Sequence, residues 1–175
     1  MLGNDVVDLQ LAQQQSRWNT KAFQQKILHP VEIEKYKYKS LNFVQFWKLW
    51  SVKETAYKAH QRLLNHAPKL NPFQFLVEEI TENRSRVCVD AFEFNIITCS
   101  NSNFIYSFTE GFDMQSTQNF DIKANNASFD ENLKRSALNK LLIKNENGIP
   151  FIVKENQKKP ISITHHGKYF AYLIN

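Results

Sequence analysis

The sequence has little cysteine: two residues in 175, Cys88 and Cys99. Two thiols are too few for a disulfide framework and their spacing suits no metal cluster, so both read as buried thiols in strands. Long apolar runs are also missing. No stretch approaches the roughly 18 residues that a membrane helix needs. The start, Met1-Leu2-Gly3-Asn4-Asp5, reaches an acid at once, which does not fit a secretory signal. Both features lead to the expectation of a cytoplasmic chain, in which the Asn-x-Ser sequons at Asn83 and Asn126 have no glycosylation to receive. Motifs of several common chemistries are absent as well: there is no G-x-S-x-G, no P-loop, no G-x-G-x-x-G and no zinc spacing. Neither an internal repeat nor a low-complexity tract is found.

What is present suits a packed core. A hydrophobic fraction of 42%, with 14 Phe, 6 Tyr and 3 Trp, supplies enough apolar surface for one compact domain spanning 1–175, and it argues against disorder along most of the length. The net charge of +5 favours an anionic partner: nucleic acid, a phosphorylated small molecule or an acidic protein. The basic residues are scattered, with short clusters at Lys35, Lys37 and Lys39 and at Lys154, Lys158 and Lys159. A nucleic-acid module would want aromatic and basic residues alternating on a strand face. The nearest approach, Tyr36-Lys37-Tyr38-Lys39, lies in a predicted helix.

Periodicity predicts a short strand over Leu2 to Leu9 and then a polar stretch. Helices follow from about Lys21 to Leu28, capped by Asn19-Thr20, and from Pro30 to about Lys39, with Glu32 and Glu34 near the positive end. The longest predicted element is a helix from about Asn42 to Asn65, free of Gly and Pro and stopped by His66-Ala67-Pro68. Strands are predicted at Phe73 to Ile80, Arg86 to Asp90, Phe92 to Cys99, Phe104 to Thr109 and near Phe120 to Lys123. A helix from Ser128 or Asp130 to about Ile143, a strand over Ile149 to Val153, a basic loop and two strands around His165-His166-Gly167 complete the chain. Strands grouped rather than alternating with helices indicate an α+β fold.

Two acids fall on faces assigned to the interior. Alternation on the first strand puts Asp5, Val7 and Leu9 on one side and Asn4, Val6 and Asp8 on the other. On the long helix, Glu54 lies within the stripe Phe43, Trp47, Trp50 and Tyr57. Each buried carboxylate needs a cation. An ordinary helical pair between Glu54 and Lys58, with Asp5 as a strand-end residue, would serve. A Mg²⁺ ion held between Asp5 and Glu54, with lysines ready for phosphate oxygens, would serve as well. Ser162-Ile163-Thr164-His165-His166-Gly167 is either an anion-binding connection or a plain hairpin with exposed histidines.

Together these segments resemble the 4′-phosphopantetheinyl transferase superfamily, most closely its small holo-acyl-carrier-protein-synthase branch. Gly3-Asn4-Asp5-Val6-Val7-Asp8-Leu9 is similar to that branch's N-terminal strand. Trp50-Ser51-Val52-Lys53-Glu54-Thr55-Ala56-Tyr57-Lys58 matches the aromatic-(Ser/Ala)-x-Lys-Glu-(small)-x-x-Lys signature, and Lys26-Ile27-Leu28-His29-Pro30-Val31-Glu32 resembles the basic-aliphatic-(Phe/Leu)-x-x-x-Glu stretch between them. Gly148-Ile149-Pro150 and Ile161-Ser162-Ile163-Thr164-His165 look like the Gly-x-Pro and Ser-x-(Ser/Thr)-His segments.

The resemblance implies an antiparallel sheet packed on one long central helix, and transfer of phosphopantetheine from coenzyme A to a serine of an acyl or peptidyl carrier protein, with release of 3′,5′-ADP. It implies Asp5 and Glu54 as Mg²⁺ ligands, Lys58 and Lys53 at phosphate oxygens, and Ser162 and His165 near the nucleotide. Asp5, Glu54 and Lys58 would carry the catalysis. Three features depart from the family pattern. Val7 stands where larger members place a third acid, leaving that ligand missing or supplied by Asp8. Thr164 replaces a commoner serine. Residues of about 73–127 read as an extended strand-rich insertion with no assigned function. Because each signature occurs once, the resemblance also implies a cleft shared between subunits, most simply in a homotrimer, with the His165 region of one chain facing the metal of the next. A homologue that binds carrier protein without catalysis is the main alternative. A nucleic-acid-binding module is the lesser one.

Overall fold

The computed structural model describes residues 1–36, 41–111, 121–124 and 141–174. The expected Lys37 and Lys39 cluster, the Tyr38 position, Asn126 and the start of the helix at Ser128 or Asp130 lie outside the described residues. The N-terminal part runs β1 (Asn4–Asp8), α1 (Leu9–Gln15), α2 (Lys21–Ile27), α3 (Pro30–Tyr36) and α4 (Phe43–Leu64). A short 3-10 turn, Pro72–Gln74, leads to β2 (Leu76–Ile80), β3 (Arg84–Val89), β4 (Phe92–Ser100) and β5 (Phe104–Thr109). Beyond these come β6 (Asp121–Ala124), β7 (Leu142–Lys144), β8 (Pro150–Lys154), β9 (Gln157–His166) and β10 (Tyr169–Ile174).

The strands form two five-stranded antiparallel sheets, ordered β1-β5-β4-β3-β2 and β6-β10-β9-β8-β7. With several helices, one of them long, this is an α+β fold. Residues 76–109, expected within an insertion, supply four of the five strands of the sheet that carries β1.

Helix α4 packs across the first sheet. Phe46, Leu49, Val52, Ala56 and Ala59 meet Val77, Val87, Ile96 and Ile105 in the main core. A second core lies between the sheets, where Val6, Tyr106 and Phe108 pack on Tyr169, Ala171 and Leu173. Strand β1 serves both cores, sending Val7 to the first and Val6 to the second, as its alternation requires.

Local chemistry sets the element ends. Asn42 and Gln45 close a reciprocal capping box at the start of α4. Asn65, in the left-handed region at φ 49°, ends the helix one residue before the expected His66-Ala67-Pro68 stop. Helix α1 occupies what read as a polar stretch, because Asp8 accepts hydrogen bonds from Gln10 N and Leu11 N as its N-cap. Three further expectations are corrected. Phe73 lies in the 3-10 turn rather than a strand, and Leu142 and Ile143 belong to β7 rather than a helix end. The basic loop is a tight turn at Glu155 and Asn156, both with positive φ, joining β8 to β9.

One buried ion pair joins the smaller helices to α4 and the sheet. Lys53 Nζ lies 2.7 Å from Glu32 Oε2, with both side chains fully buried. Lys53 also donates to the carbonyls of Ile27 and Pro72, at 3.0 and 3.1 Å. Glu32 accepts from His29 N at 2.8 Å and from Val77 N at 2.7 Å. The pair therefore ties α2, α3, α4, the 3-10 turn and β2 together. Burial pushes the Lys53 ammonium below its ordinary range, and Glu32 opposes that shift. Replacing Glu32 with Gln leaves a buried ammonium without a counter-ion, and should cost about 3–5 kcal/mol in urea unfolding at neutral pH. The double variant Glu32→Leu, Lys53→Met should recover only part of the loss, because four backbone groups lose their partners. Wild-type stability in Glu32→Gln would contradict this role.

Candidate active site

Among the described residues strand β1 pairs with β5 on one side only, so its other edge carries backbone groups that must find partners outside a ladder. Side chains supply them. Asn4 N donates to Ser162 Oγ at 3.2 Å, Val6 N to Thr164 Oγ1 at 3.2 Å, and Asp8 N to His166 Nδ1 at 2.8 Å. The acceptors alternate along β9, so one face of that strand caps the edge of β1. Two carbonyls along the same side of the chain, of Asn4 in β1 and of Leu2 just before it, are met from α4. Lys58 Nζ donates to Asn4 O at 2.9 Å and Arg62 Nε to Leu2 O at 3.2 Å. Arg62 reaches on to Pro150 O and Ile161 O, at 3.2 and 2.6 Å, and burial lowers its guanidinium to about 10.

Close approach of β1 to α4 depends on Gly3. A Cβ there would sit 2.2 Å from Thr55 O. With β1 against the helix, Asp5 comes beside Glu54 and Lys58. Lys58 Nζ is 3.7 Å from Asp5 Oδ1 and 3.7 Å from Glu54 Oε1, and Thr164 Oγ1 donates to Asp5 Oδ1 at 3.1 Å. Thr164 thus accepts from β1 and orients its acid with one hydroxyl, a role that the commoner serine could also fill.

Asp5, Glu54, Lys58 and His165 line one cleft of about 510 Å³, together with Val6, Val7, Thr164 and His166. Trp47, Trp50, Leu70 and Ile163 make its apolar wall. The aromatic pair comes from the α4 stripe, but Leu70 and Ile163 carried no signal in the sequence. His166 belonged to the cluster read as an anion-binding connection or a plain hairpin, and its facing depends on how β9 crosses β1. The Asp5 and Glu54 end and the His165 region meet within a single chain. The chain's own His165 thus stands at the cleft where the resemblance implied that of a neighbouring chain.

Two of the expected site residues stand elsewhere. Lys53 does not line the cleft, and its three ammonium protons are taken by Glu32, Ile27 O and Pro72 O. Ser162 is buried, and its hydroxyl is engaged by Asn4 N on the seam between the sheets. Asp8, considered as a third acid for a metal, is committed too. Its Oδ1 caps α1 and its Oδ2 accepts from Lys168 N at 3.2 Å.

The acid pair fits a divalent cation. Asp5 Oδ2 and Glu54 Oε2 are shut off from solvent with no hydrogen-bond partner among the described residues. Burial raises both carboxyls above the usual range; Lys58 opposes this for both, while the Asp5 charge adds to the rise at Glu54. Two such oxygens suit a hard cation that keeps most of its shell from water and substrate. No group of three or more His, Cys, Asp or Glu side chains that could hold a metal occurs among the described residues. No helix of the described residues is long and apolar enough to cross a membrane.

No curated protein matches the chain closely enough to count as a relative. A family model does match. It covers residues 1–115, from β1 through β5, and so takes in Asp5, Glu54 and Lys58 but not β9. On that match, with the two signatures meeting at one cleft, the chain belongs to the 4′-phosphopantetheinyl transferase superfamily.

Proposed function

We propose that this chain transfers 4′-phosphopantetheine from coenzyme A to a serine hydroxyl of an acyl or peptidyl carrier protein, with Mg²⁺ held by Asp5 and Glu54. The observation that carries the reading is the pair of orphaned buried carboxylate oxygens beside Lys58 in the cleft. A charged pair so placed is costly unless a cation and an anionic substrate complete it.

In the proposed reaction the serine oxygen forms a bond to the β-phosphorus of coenzyme A. The bond to the bridging oxygen breaks, and 3′,5′-ADP departs with that electron pair. When bound, Mg²⁺ supplies charge neutralisation at the pyrophosphate. Lys58 is held by Asn4 O within reach of both acids, and it adds a fixed positive charge where negative charge develops on the transferring group. Glu54 would take the serine proton. Thr164 keeps Asp5 in place, and the Trp47, Trp50 and Leu70 wall keeps bulk water from the reacting atoms. Lys21, Lys26 and Lys35 are exposed on α2 and α3 and offer a basic surface to an acidic carrier.

Mass spectrometry of a carrier protein after incubation with coenzyme A, Mg²⁺ and this chain should show a gain of one phosphopantetheine per acceptor serine. Glu54→Gln keeps the shape of the side chain and removes its charge. It should lower that rate by about 100-fold or more, with an unfolding midpoint no lower than wild type. A near-normal rate in Glu54→Gln at limiting Mg²⁺ would remove the metal assignment.

A second test needs no carrier. Because both carboxyls have raised values in the folded chain, that state binds protons more readily than the unfolded one between the unfolded and folded pKa values. The ionised pair therefore destabilises the metal-free protein at neutral pH, and the penalty is relieved as pH falls through the folded values. Added Mg²⁺ should raise the thermal midpoint at about pH 7.5, with a gain that shrinks toward about pH 5 as protons compete. The gain should be largely absent in Asp5→Asn. A Mg²⁺ effect of equal size in that variant would place the ion elsewhere.

A further inference from the structure

His166 is bound by an unusual constraint. Its Nδ1 accepts a hydrogen bond from the backbone N–H of Asp8 at 2.8 Å. A backbone N–H can only donate, so Nδ1 must keep its lone pair, and the proton of a neutral ring must sit on Nε2. Burial lowers the proton affinity of His166, with His165 adding to the effect and Asp8 opposing it. This favours the neutral ring that the hydrogen bond requires.

The surrounding fold holds the ring there. Asp8, whose N–H fixes Nδ1, is itself anchored by capping α1 and by accepting from Lys168 N, at the turn that follows His166. Gly167 sits so close to Asp8 that a Cβ would lie 2.3 Å from Asp8 Oδ2, and its φ is +56°. The β9–β10 turn is thus seated on the end of β1. His166 lines the cleft with Asp5, Glu54, Lys58 and His165, and its Nε2–H has no partner among the described residues.

We propose that His166 is a substrate-binding residue locked as the Nε2–H tautomer, which donates one neutral hydrogen bond to a phosphate oxygen of the donor substrate. This rests on the coenzyme A reading above and names a residue of its cleft that neither the family match nor the motif positions include. With its one lone pair engaged by Asp8 N, His166 has no basic nitrogen facing the cleft. It orients the donor and does not take the serine proton. A neutral donor suits a site where Lys58 already supplies fixed charge and the two acids need none of it neutralised from this side.

The two nitrogens can be tested separately, because Asn offers an acceptor near the position of Nδ1 and cannot reach the position of Nε2. His166→Asn should keep the thermal midpoint close to wild type while weakening coenzyme A binding, measured by calorimetry with Mg²⁺, by about tenfold. His166→Ala should lose both the rung to Asp8 N and the substrate contact, lowering the midpoint as well. Repeating the titration with 3′-dephospho-coenzyme A identifies the oxygen. An equal loss for both ligands places the contact on the pyrophosphate, and a loss confined to coenzyme A places it on the 3′-phosphate. Long-range ¹H–¹⁵N correlation of the free protein should show His166 protonated on Nε2. Unchanged affinity of His166→Asn for both ligands, or an Nδ1–H tautomer, would overturn the inference. A wild-type protein that bound neither ligand would instead remove the function reading and the substrate contact with it, leaving the tautomer as an independent result.

Discussion

The unpaired edge of β1 is the constraint on which the rest of this structure depends. A strand that pairs on one side and is buried on both faces has backbone groups that water cannot reach, and each one left alone costs free energy. A further strand would be the usual remedy. Here three side chains of β9 take N–H groups of the edge, and two cations of α4 take the carbonyls of Asn4 and of Leu2 just before the strand. Satisfying the edge in this way brings the second sheet and the long helix to the same strand. A cleft lined by residues of all three elements results. Asp5 is carried on the strand, Glu54 and Lys58 on the helix, and His165 on β9.

The same residues therefore serve fold and site together. Lys58 satisfies Asn4 O and stands between two acids. Thr164 completes a rung and aims a carboxylate. Lys53 shows the opposite arrangement five residues earlier on α4. Its position on the helix turns it toward α2 and the 3-10 turn, where Glu32 neutralises it. The Glu of one sequence signature and the Lys of another thus meet as a structural pair, while the Glu and the second Lys of the latter face the cleft.

Much of this was legible in the sequence. Strand alternation put Asp5 and Val7 on one side of β1, which faces the helix, and the Gly- and Pro-free run marked α4 to within a residue at each end. What was not legible depended on tertiary crossing. Ser162, Thr164 and His166 read as a local cluster of hydroxyls and imidazoles because nothing in the chain says that a distant strand edge needs acceptors at alternate positions. The structural role of Lys53 was not legible, since its partner is contributed by a segment 21 residues away in sequence. Helix α1 was hidden because its glutamines carry little apolar periodicity, and its cap, Asp8, also reads as a candidate acid for a metal. The turn at Glu155 and Asn156 lacked the usual glycine and so looked like a loop.

The central claim is that one chain, through the β1–β9 seam, assembles the whole cleft. Subunit mixing tests it most directly. Asp5→Asn and His165→Ala variants, each expected under the proposed function to lose carrier modification because Asp5 would hold Mg²⁺ and His165 would lie near the nucleotide, are unfolded together, refolded and assayed against the separate variants. If each cleft is built from a single chain, the mixture shows no more than the sum of the two residual activities. Activity well above that sum would mean that the acids of one chain work with the His165 of another, and would contradict the account.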